Sequence, residues 1–291
     1  MCDDVRPPRA PNAHALSRVL CVMPPVTRRL VPFALALSVA CAGAAPAPVA
    51  DTGATFVLVS WNVNYGLRGD PEVVALLDEL PGDVVLLQEC TPDLERALRA
   101  SPALRARYPH ARFHDREGPG GLAVLSRFPI ASDELLPEVT WFPAWRGVVV
   151  TPLGPVQFLN VHLRPPFDDH GSMVSGVFVT PSMRVREIEA FTTALDDGTP
   201  TIIAGDFNEV DGDAIRVVRQ RGMTDALDLT RGTSATWRWT NVPFRLRLDH
   251  VFADDDALAV ATADVVERGN SDHFPVVVTV GRRAPARVPR S

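Results

Sequence analysis

The sequence predicts an α/β protein built from mixed β-sheets with helices outside them. Two observations carry that expectation. Short apolar, β-branched runs alternate with segments of helical spacing along most of the chain, a pattern that asks for sheets covered by helices. Some runs instead follow one another with no helix between them, as residues 147–150 and 156–161 do. Strands so joined pair antiparallel, so a single parallel sheet is excluded. No internal repeat is visible.

Each element has a local reason. Residues 55–62 are apolar and β-branched and read as the first strand. Asp70-Pro71 opens a helix that reaches Leu80, with Asp as N-cap and Pro in the first turn. Residues 83–88 form a buried strand. Thr91-Pro92 opens a second helix, whose first turn holds Asp93 and Glu95 where the helix dipole favours them. Residues 121–126, 147–150 and 156–161 read as further strands. Val185, Ile188, Phe191 and Leu195 give residues 182–195 a helical period. Residues 201–205 form a strand, 213–221 a helix, and 247–252 and 275–280 the last strands. The intervening segment 164–183 reads as a long connector, and long connectors tend to be functional. It holds Phe167, Asp168, Asp169, His170 and Phe178 and is expected to border the site.

Residues 1–41 read as a leader. Arg28 and Arg29 precede an apolar run over 30–40, followed by small residues, the order of a secretory signal. The run is shorter than the ~20 residues of a membrane span. Cys41 stands where a bacterial lipoprotein carries its lipidated cysteine, which leaves membrane anchoring open, and Thr27-Arg28-Arg29 faintly resembles a twin-arginine signal. Residues 42–53 form a linker, 54–281 the domain, and 282–291 a basic tail expected to be disordered. The chain is expected to be exported, secreted or periplasmic, and monomeric. Only Cys90 falls in the domain, so folding requires no internal disulfide.

The chain has 291 residues and a net charge of −6. Five arginines and two aspartates leave with the leader, so the rest carries 24 basic and 33 acidic residues, a net charge of −9. That balance disfavours a protein gripping long nucleic acid through its phosphates. It leaves room for a local positive site made by metal ions.

The chemistry sits where apolar runs end. Thr201 to Gly205 leads into Asp206 and Asn208. On an extended segment, residues two apart point the same way, so both would face one site; an Asx-type turn is the competing reading. Similar endings occur at Asn62, Gln88-Glu89, Asn160 and His162, Asp249-His250 and Asp272-His273. Charged groups at the ends of buried strands need partners or metals, because desolvating them alone is costly. The inventory is oxygen-rich, which suits Mg²⁺ or Mn²⁺. There is no cysteine cluster for zinc, no dinucleotide or phosphate-loop fingerprint, and no Gly-x-Ser-x-Gly elbow.

The ordered set Trp61-Asn62-Val63, Leu87-Gln88-Glu89, Asn160-Val161-His162-Leu163, Gly205-Asp206-Phe207-Asn208, Leu248-Asp249-His250-Val251 and Ser271-Asp272-His273 resembles the endonuclease/exonuclease/phosphatase superfamily. Residues 120–130 resemble another of its segments. The resemblance implies a four-layer α/β sandwich, two packed mixed sheets flanked by helices, and divalent-metal-dependent cleavage of a phosphoester by water. It implies that Glu89 is the principal metal ligand, with Asn62 and Asp272 as ligands or ligand supports. Asp206 would orient or deprotonate the attacking water, and Asn208 would hold that water or a phosphate oxygen. His273 would donate to the scissile phosphate, Asp249 would orient that imidazole, and His162 would donate to the phosphate or protonate the leaving oxygen. His250 should point away from the site, and Trp61 should be core.

The acidic domain, the carboxylates Asp168 and Asp169 and the aromatics of the 164–183 segment point to a small or lipid-like phosphodiester or a phosphomonoester. Arg164 and Arg184 remain available to clamp a phosphate. An extracellular nuclease and a noncatalytic phosphate-binding module on the same fold are the alternatives.

Overall fold

The computed structural model describes residues 53–167, 170–229, 235–239 and 242–284. The leader, Cys41, the linker up to residue 52, Asp168, Asp169 and the tail from residue 285 lie outside the described residues.

In chain order the elements are β1 Thr55–Asn62, α1 Pro71–Glu79, β2 Val84–Gln88, α2 Pro92–Ala100, α3 Pro102–Arg107, β3 His110–His114, β4 Leu122–Ser126, β5 Ile130–Leu136, β6 Ala144–Thr151, β7 Gly154–His162, α4 Met173–Thr192, β8 Thr201–Asp206, α5 Asp213–Gln220, β9 Met223–Asp225, β10 Trp237–Arg238, β11 Arg245–Leu246, β12 Asp249–Asp254, β13 Leu258–Val265 and β14 Val276–Arg282. Short 3₁₀ turns cover Tyr65–Leu67 and Ala226–Leu229.

One six-stranded sheet runs β13-β14-β1-β2-β4-β3 and the other β5-β6-β7-β8-β12-β9, while β10 and β11 pair as a separate ribbon. Each sheet is antiparallel except for one parallel pair, β1 with β2 and β7 with β8. The mixed sheets expected from the sequence are therefore present.

The period-two alternation of β1 explains the layering. Phe56 and Leu58 face the other sheet and join Val84, Leu86, Phe158, Ile202 and Ala204 in a core between the two sheets. Val59 and Trp61 face outward and pack with Val85 and Leu87 under Val73, Leu76 and Leu77 of α1 and Leu94 and Leu98 of α2. On the far side Leu159, Val161, Ile203 and Phe252 pack under Ile188 and Phe191 of α4 and Ile215 and Val218 of α5. The result is helices, sheet, sheet, helices, the four-layer sandwich.

Helix starts follow the cap chemistry. Asp70 accepts from the Glu72 N–H and Thr91 from the Leu94 N–H, each followed by Pro in the first turn. Much of the segment expected to be a connector is instead helical. Helix α4 begins at Met173, capped by Ser172, and runs through Pro181. A proline inside a helix removes one backbone donor. Around it, the Thr180 hydroxyl donates to the Gly176 carbonyl and the Ser182 hydroxyl to that of Val179. The non-helical connector therefore shrinks to the stretch before α4. At the other end β14 continues through Arg282, one residue into the stretch read as tail.

The topology gathers the site. β1, β2, β7 and β8 end at one edge of the sandwich, and β12 and β14, antiparallel to their neighbours, start there. Asp206 is in register with His162 on one side and Asp249 on the other.

Candidate active site

Every predicted site residue lies at this edge. Asn62 ends β1, and Glu89 follows β2 in the left-handed region at φ 61°. A bulky non-glycine residue is rarely found there, which marks an imposed conformation. Two glycines make the close approaches beside the site. A Cβ on Gly121 would lie 1.8 Å from the Cys90 carbonyl, and one on Gly205, at φ 140°, would lie 1.9 Å from that of Val161.

The Asn62 amide stands between two carboxylates. Its Nδ2 donates to Glu89 Oε1 at 3.0 Å and to Asp206 Oδ2 at 3.1 Å, while its Oδ1 accepts from the Asn64 N–H. In this geometry Asn62 supports Glu89. The other Glu89 oxygen accepts the Tyr65 N–H at 2.8 Å. Asp272 accepts from Asn64 Nδ2 at 2.8 Å and from Trp237 Nε1 at 3.0 Å.

Asp206 meets two imidazoles. Its Oδ2 lies 3.5 Å from His162 Nε2 and 3.6 Å from His273 Nε2. His273 Nδ1 donates to Asp249 Oδ2 at 2.8 Å. Asp249 is fixed in turn by its own N–H, which donates to Thr236 Oγ1. Two further bonds hold the backbone of this region: Trp61 Nε1 donates to the His273 carbonyl, and the Ser271 hydroxyl to that of Asn62. Trp61 is fully buried, as expected of a core residue.

His162 Nδ1 faces the Pro119 carbonyl at 3.1 Å. A carbonyl only accepts, so Nδ1 carries the proton and Nε2 of the neutral ring is an acceptor. Burial holds this imidazole below its ordinary range, against the pull of Asp206. The donor role implied for His162 therefore requires the ring first to take a proton. Phe142 packs on it with ring centroids 4.5 Å apart.

His273 is opposite in character. Burial alone would lower it, but the charges of Asp249 and Asp206 prevail and push it up to about 10. It is a cation at neutral pH, with Nε2 turned toward Asp206. Burial raises the Asp206 carboxyl above the usual range even though both histidines oppose this. Burial likewise raises Glu89, against the donors Tyr65 and Asn62.

The Asp206–Asn208 pair differs from the extended reading. The strand ends at Asp206, and Asn208 lies at φ 50°. The Asn208 N–H donates to Asp206 Oδ1 at 2.8 Å, which is an Asx turn. Its Nδ2 donates to the Leu163 carbonyl. Asp206 thus does both jobs, Oδ1 closing the turn and Oδ2 facing the imidazoles, while one N–H of the Asn208 amide is taken by the backbone after β7.

Other residues are structural. His250, on β12, is fully buried, with Nδ1 2.6 Å from Asp225 and Nε2 2.9 Å from the Glu209 carbonyl, so it points away as expected. Arg184 binds Glu209 Oε2 and the Arg164 carbonyl, so it is not placed to clamp a phosphate. Arg164 stacks over Trp141 at 4.1 Å. His110 and His114 are four apart on a strand, roughly 13 Å by strand rise, too far to share an ion. Asn64 and Trp237 also reach the site, and nothing in their local sequence pattern marks them.

The residues present fit a divalent cation. Glu89 and Asp272 accept only from neutral N–H groups, and among the described residues no arginine pairs with either. Burial raises the Glu89 carboxyl, and the nearby Asp272 charge adds to this while His273 opposes it. Asp206, Asp249 and His273 also bring ligand atoms within 4.8 Å of one another. There, however, the His273 imidazolium already supplies the positive charge, and its Nδ1 is taken by Asp249.

Carboxylates and imidazoles gathered at a buried edge of a four-layer sandwich suit the hydrolysis of phosphoesters. The chain belongs to the endonuclease/exonuclease/phosphatase family, whose model matches residues 59–273. No curated protein matches the sequence. Among solved structures, the fold is similar to that of zebrafish (D. rerio) TDP2 complexed with a single-strand DNA product, with TM-score 0.62 and 17% identity over 78% of this chain and 99% of that one. An endonuclease/exonuclease/phosphatase from Beutenbergia cavernae gives TM-score 0.62 and 20% identity over 79% and 72%. An AP endonuclease from Archaeoglobus fulgidus gives 0.59 and 15% over 77% and 98%.

Proposed function

We propose that the chain hydrolyses a small or lipid-like phosphodiester or a phosphomonoester, with water as nucleophile and Mg²⁺ or Mn²⁺ as cofactor. The observation that carries this reading is the Asp206 carboxylate facing both imidazoles, at 3.5 and 3.6 Å, beside two carboxylates that have only neutral donors.

Glu89 and Asp272 would hold the ion, with Asn62 steadying Glu89. When bound, the ion supplies positive charge against the nonbridging phosphate oxygens. Asp206 takes the proton of the attacking water; its raised carboxyl makes it a stronger base than an exposed aspartate. The Asn208 N–H holds Asp206 Oδ1, so that Oδ2 stays turned to the water. His273 donates from Nε2 to a phosphate oxygen, and Asp249 fixes its tautomer through Nδ1. His162, once protonated, donates from Nε2 toward the phosphate or the leaving oxygen.

Aromatic groups flank the catalytic residues and support a compact or apolar leaving group. Phe142 lies on His162 and Trp237 on Asp272, with Trp141, Trp239 and Phe244 exposed nearby in the chain. The arginines of this region are spent on internal partners: Arg184 on Glu209, Arg238 on backbone carbonyls and Arg247 on Asp228. A second reading, cleavage of nucleic acid, draws support from the likeness to the DNA-complexed TDP2 and the AP endonuclease. The leader supports export to the periplasm or beyond, and Cys41 leaves lipid anchoring as an additional route to the membrane.

The test is a panel with Mg²⁺ or Mn²⁺: bis-p-nitrophenyl phosphate, p-nitrophenyl phosphate, phosphocholine-lipid vesicles and single-stranded DNA. The proposal expects higher kcat/KM on one of the first three than on DNA. Preferred cleavage of DNA, falling steeply with salt, would favour the nuclease reading.

A further inference from the structure

Trp237 sits on the β10–β11 ribbon, outside both sheets, yet it reaches the site. Its indole N–H donates to Asp272 Oδ2 at 3.0 Å, and Asn64 Nδ2 donates to Oδ1 at 2.8 Å. One neutral donor therefore holds each oxygen of this carboxylate. Both donors are themselves fixed. Asn64 lies at φ 60° and ψ 102°, with its Oδ1 accepting the Gly66 N–H. Non-glycine residues hold such a backbone only where the surroundings over-determine it.

Trp237 is fixed by its neighbours in sequence. It forms a β-bridge with His273. The Arg238 N–H donates to the Asp272 carbonyl, and the Phe274 N–H to that of Thr236. Thr236 Oγ1 accepts from the N–H groups of Leu248 and Asp249. Arg238 Nη2 donates to the carbonyls of Gly269 and Ser271, and its guanidinium lies 5.0 Å over Phe274. Three consecutive residues thus tie together the backbone that carries Asp249, Asp272 and His273.

We propose that Trp237 is a positioning residue that, with Asn64, sets the orientation of the Asp272 carboxylate for the divalent ion. The inference rests on the reading of Asp272 as an ion ligand. Without the indole N–H, Oδ2 loses its partner and the carboxylate can rotate about the Asn64 bond. Removing such an outer partner typically weakens metal binding by about 10–100-fold.

The experiment is a Mn²⁺ titration of the full chain without substrate, read from the electron paramagnetic resonance signal of free Mn²⁺. Trp237→Phe keeps an aromatic ring against Trp239 and Phe244, whose centroids lie 5.7 and 6.5 Å away, but has no N–H. It should bind Mn²⁺ about 10–100-fold more weakly. The Mn²⁺ concentration needed for turnover should rise in step, while kcat at saturating Mn²⁺ largely recovers. Asn64→Gly suits the positive φ, removes the other donor and should act in the same direction; it serves if the Trp237 variant fails to fold. Asp272→Asn separates the two levels. If it leaves Mn²⁺ binding unchanged, Asp272 is no ligand and the proposal falls with that reading. If it weakens binding while Trp237→Phe and Asn64→Gly bind like the parent, the positioning role alone is overturned.

Discussion

Replacing Asp249 with Asn removes the charge that holds His273 as a cation. Two carboxylates act on this ring, Asp249 Oδ2 at 2.8 Å on Nδ1 and Asp206 Oδ2 at 3.6 Å on Nε2. Against burial they lift it from 6.5 to about 10. At about 1.4 kcal/mol per tenfold, that gap favours the imidazolium by about 5 kcal/mol. Asp249 is closer and hydrogen-bonded, so it acts on the ring more strongly than Asp206. A raised folded value means that the charge and the stability it brings are complete below the unfolded imidazole range. They are lost as pH rises through about 10. In Asp249→Asn the imidazolium should lose its proton at lower pH than in the parent. With the donor and its tautomer disturbed, kcat/KM should drop about 10²–10⁴-fold at neutral pH. The assay is a ring-nitrogen NMR titration of His273 in parent and variant, paired with kcat/KM against pH. A parent His273 that titrates like an ordinary imidazole, or a variant with an unchanged titration, would show that Asp249 does not hold the ring as a cation.

Two further outcomes test the fold around the site. Gly205→Ala places a Cβ 1.9 Å from the Val161 carbonyl at a φ that suits only glycine, so the denaturation midpoint should fall by the equivalent of at least about 2 kcal/mol; an unchanged midpoint would contradict the tight β7–β8 approach. Burial would raise the Asp228 carboxyl, but Arg247 and Arg219 together hold it below the usual range. Its contribution is present above the unfolded carboxylate range and lost as pH falls through the lower folded value, so Arg247→Ala should narrow the stability gap to the parent in acid, measured as Tm against pH.

The parts legible in the sequence are those whose signal is local. Strand β1 has the predicted bounds because an apolar, β-branched run ends in polar residues, and Asp70-Pro71 and Thr91-Pro92 carry their cap chemistry within a few residues. Strands β3, β5 and β13 were not legible. They carry polar or exposed residues at sheet edges, and pairing to a neighbour, rather than their own pattern, makes them strands. Pro181 hid the first half of α4, because a proline usually ends a helix and here Thr180 and Ser182 satisfy carbonyls around it. The candidate site was legible as polar motifs at strand ends, which the topology brings to one edge. The Asn208 turn was not resolved by spacing alone, since the chain leaves the strand at Asp206. Trp237 and Asn64 act across more than 30 and 200 residues of sequence to reach Asp272, and no local pattern announces such contacts.

Glu89 and its neighbours are proposed to make phosphoester hydrolysis depend on a divalent ion. The direct measurement is bis-p-nitrophenyl phosphate hydrolysis by the parent and by Glu89→Gln, first in chelator and then across a Mn²⁺ titration. The parent should show no turnover in chelator and recover as Mn²⁺ is added, while the variant should recover little at any Mn²⁺ concentration. Equal rates with and without chelator, or a variant as active as the parent, would contradict that dependence.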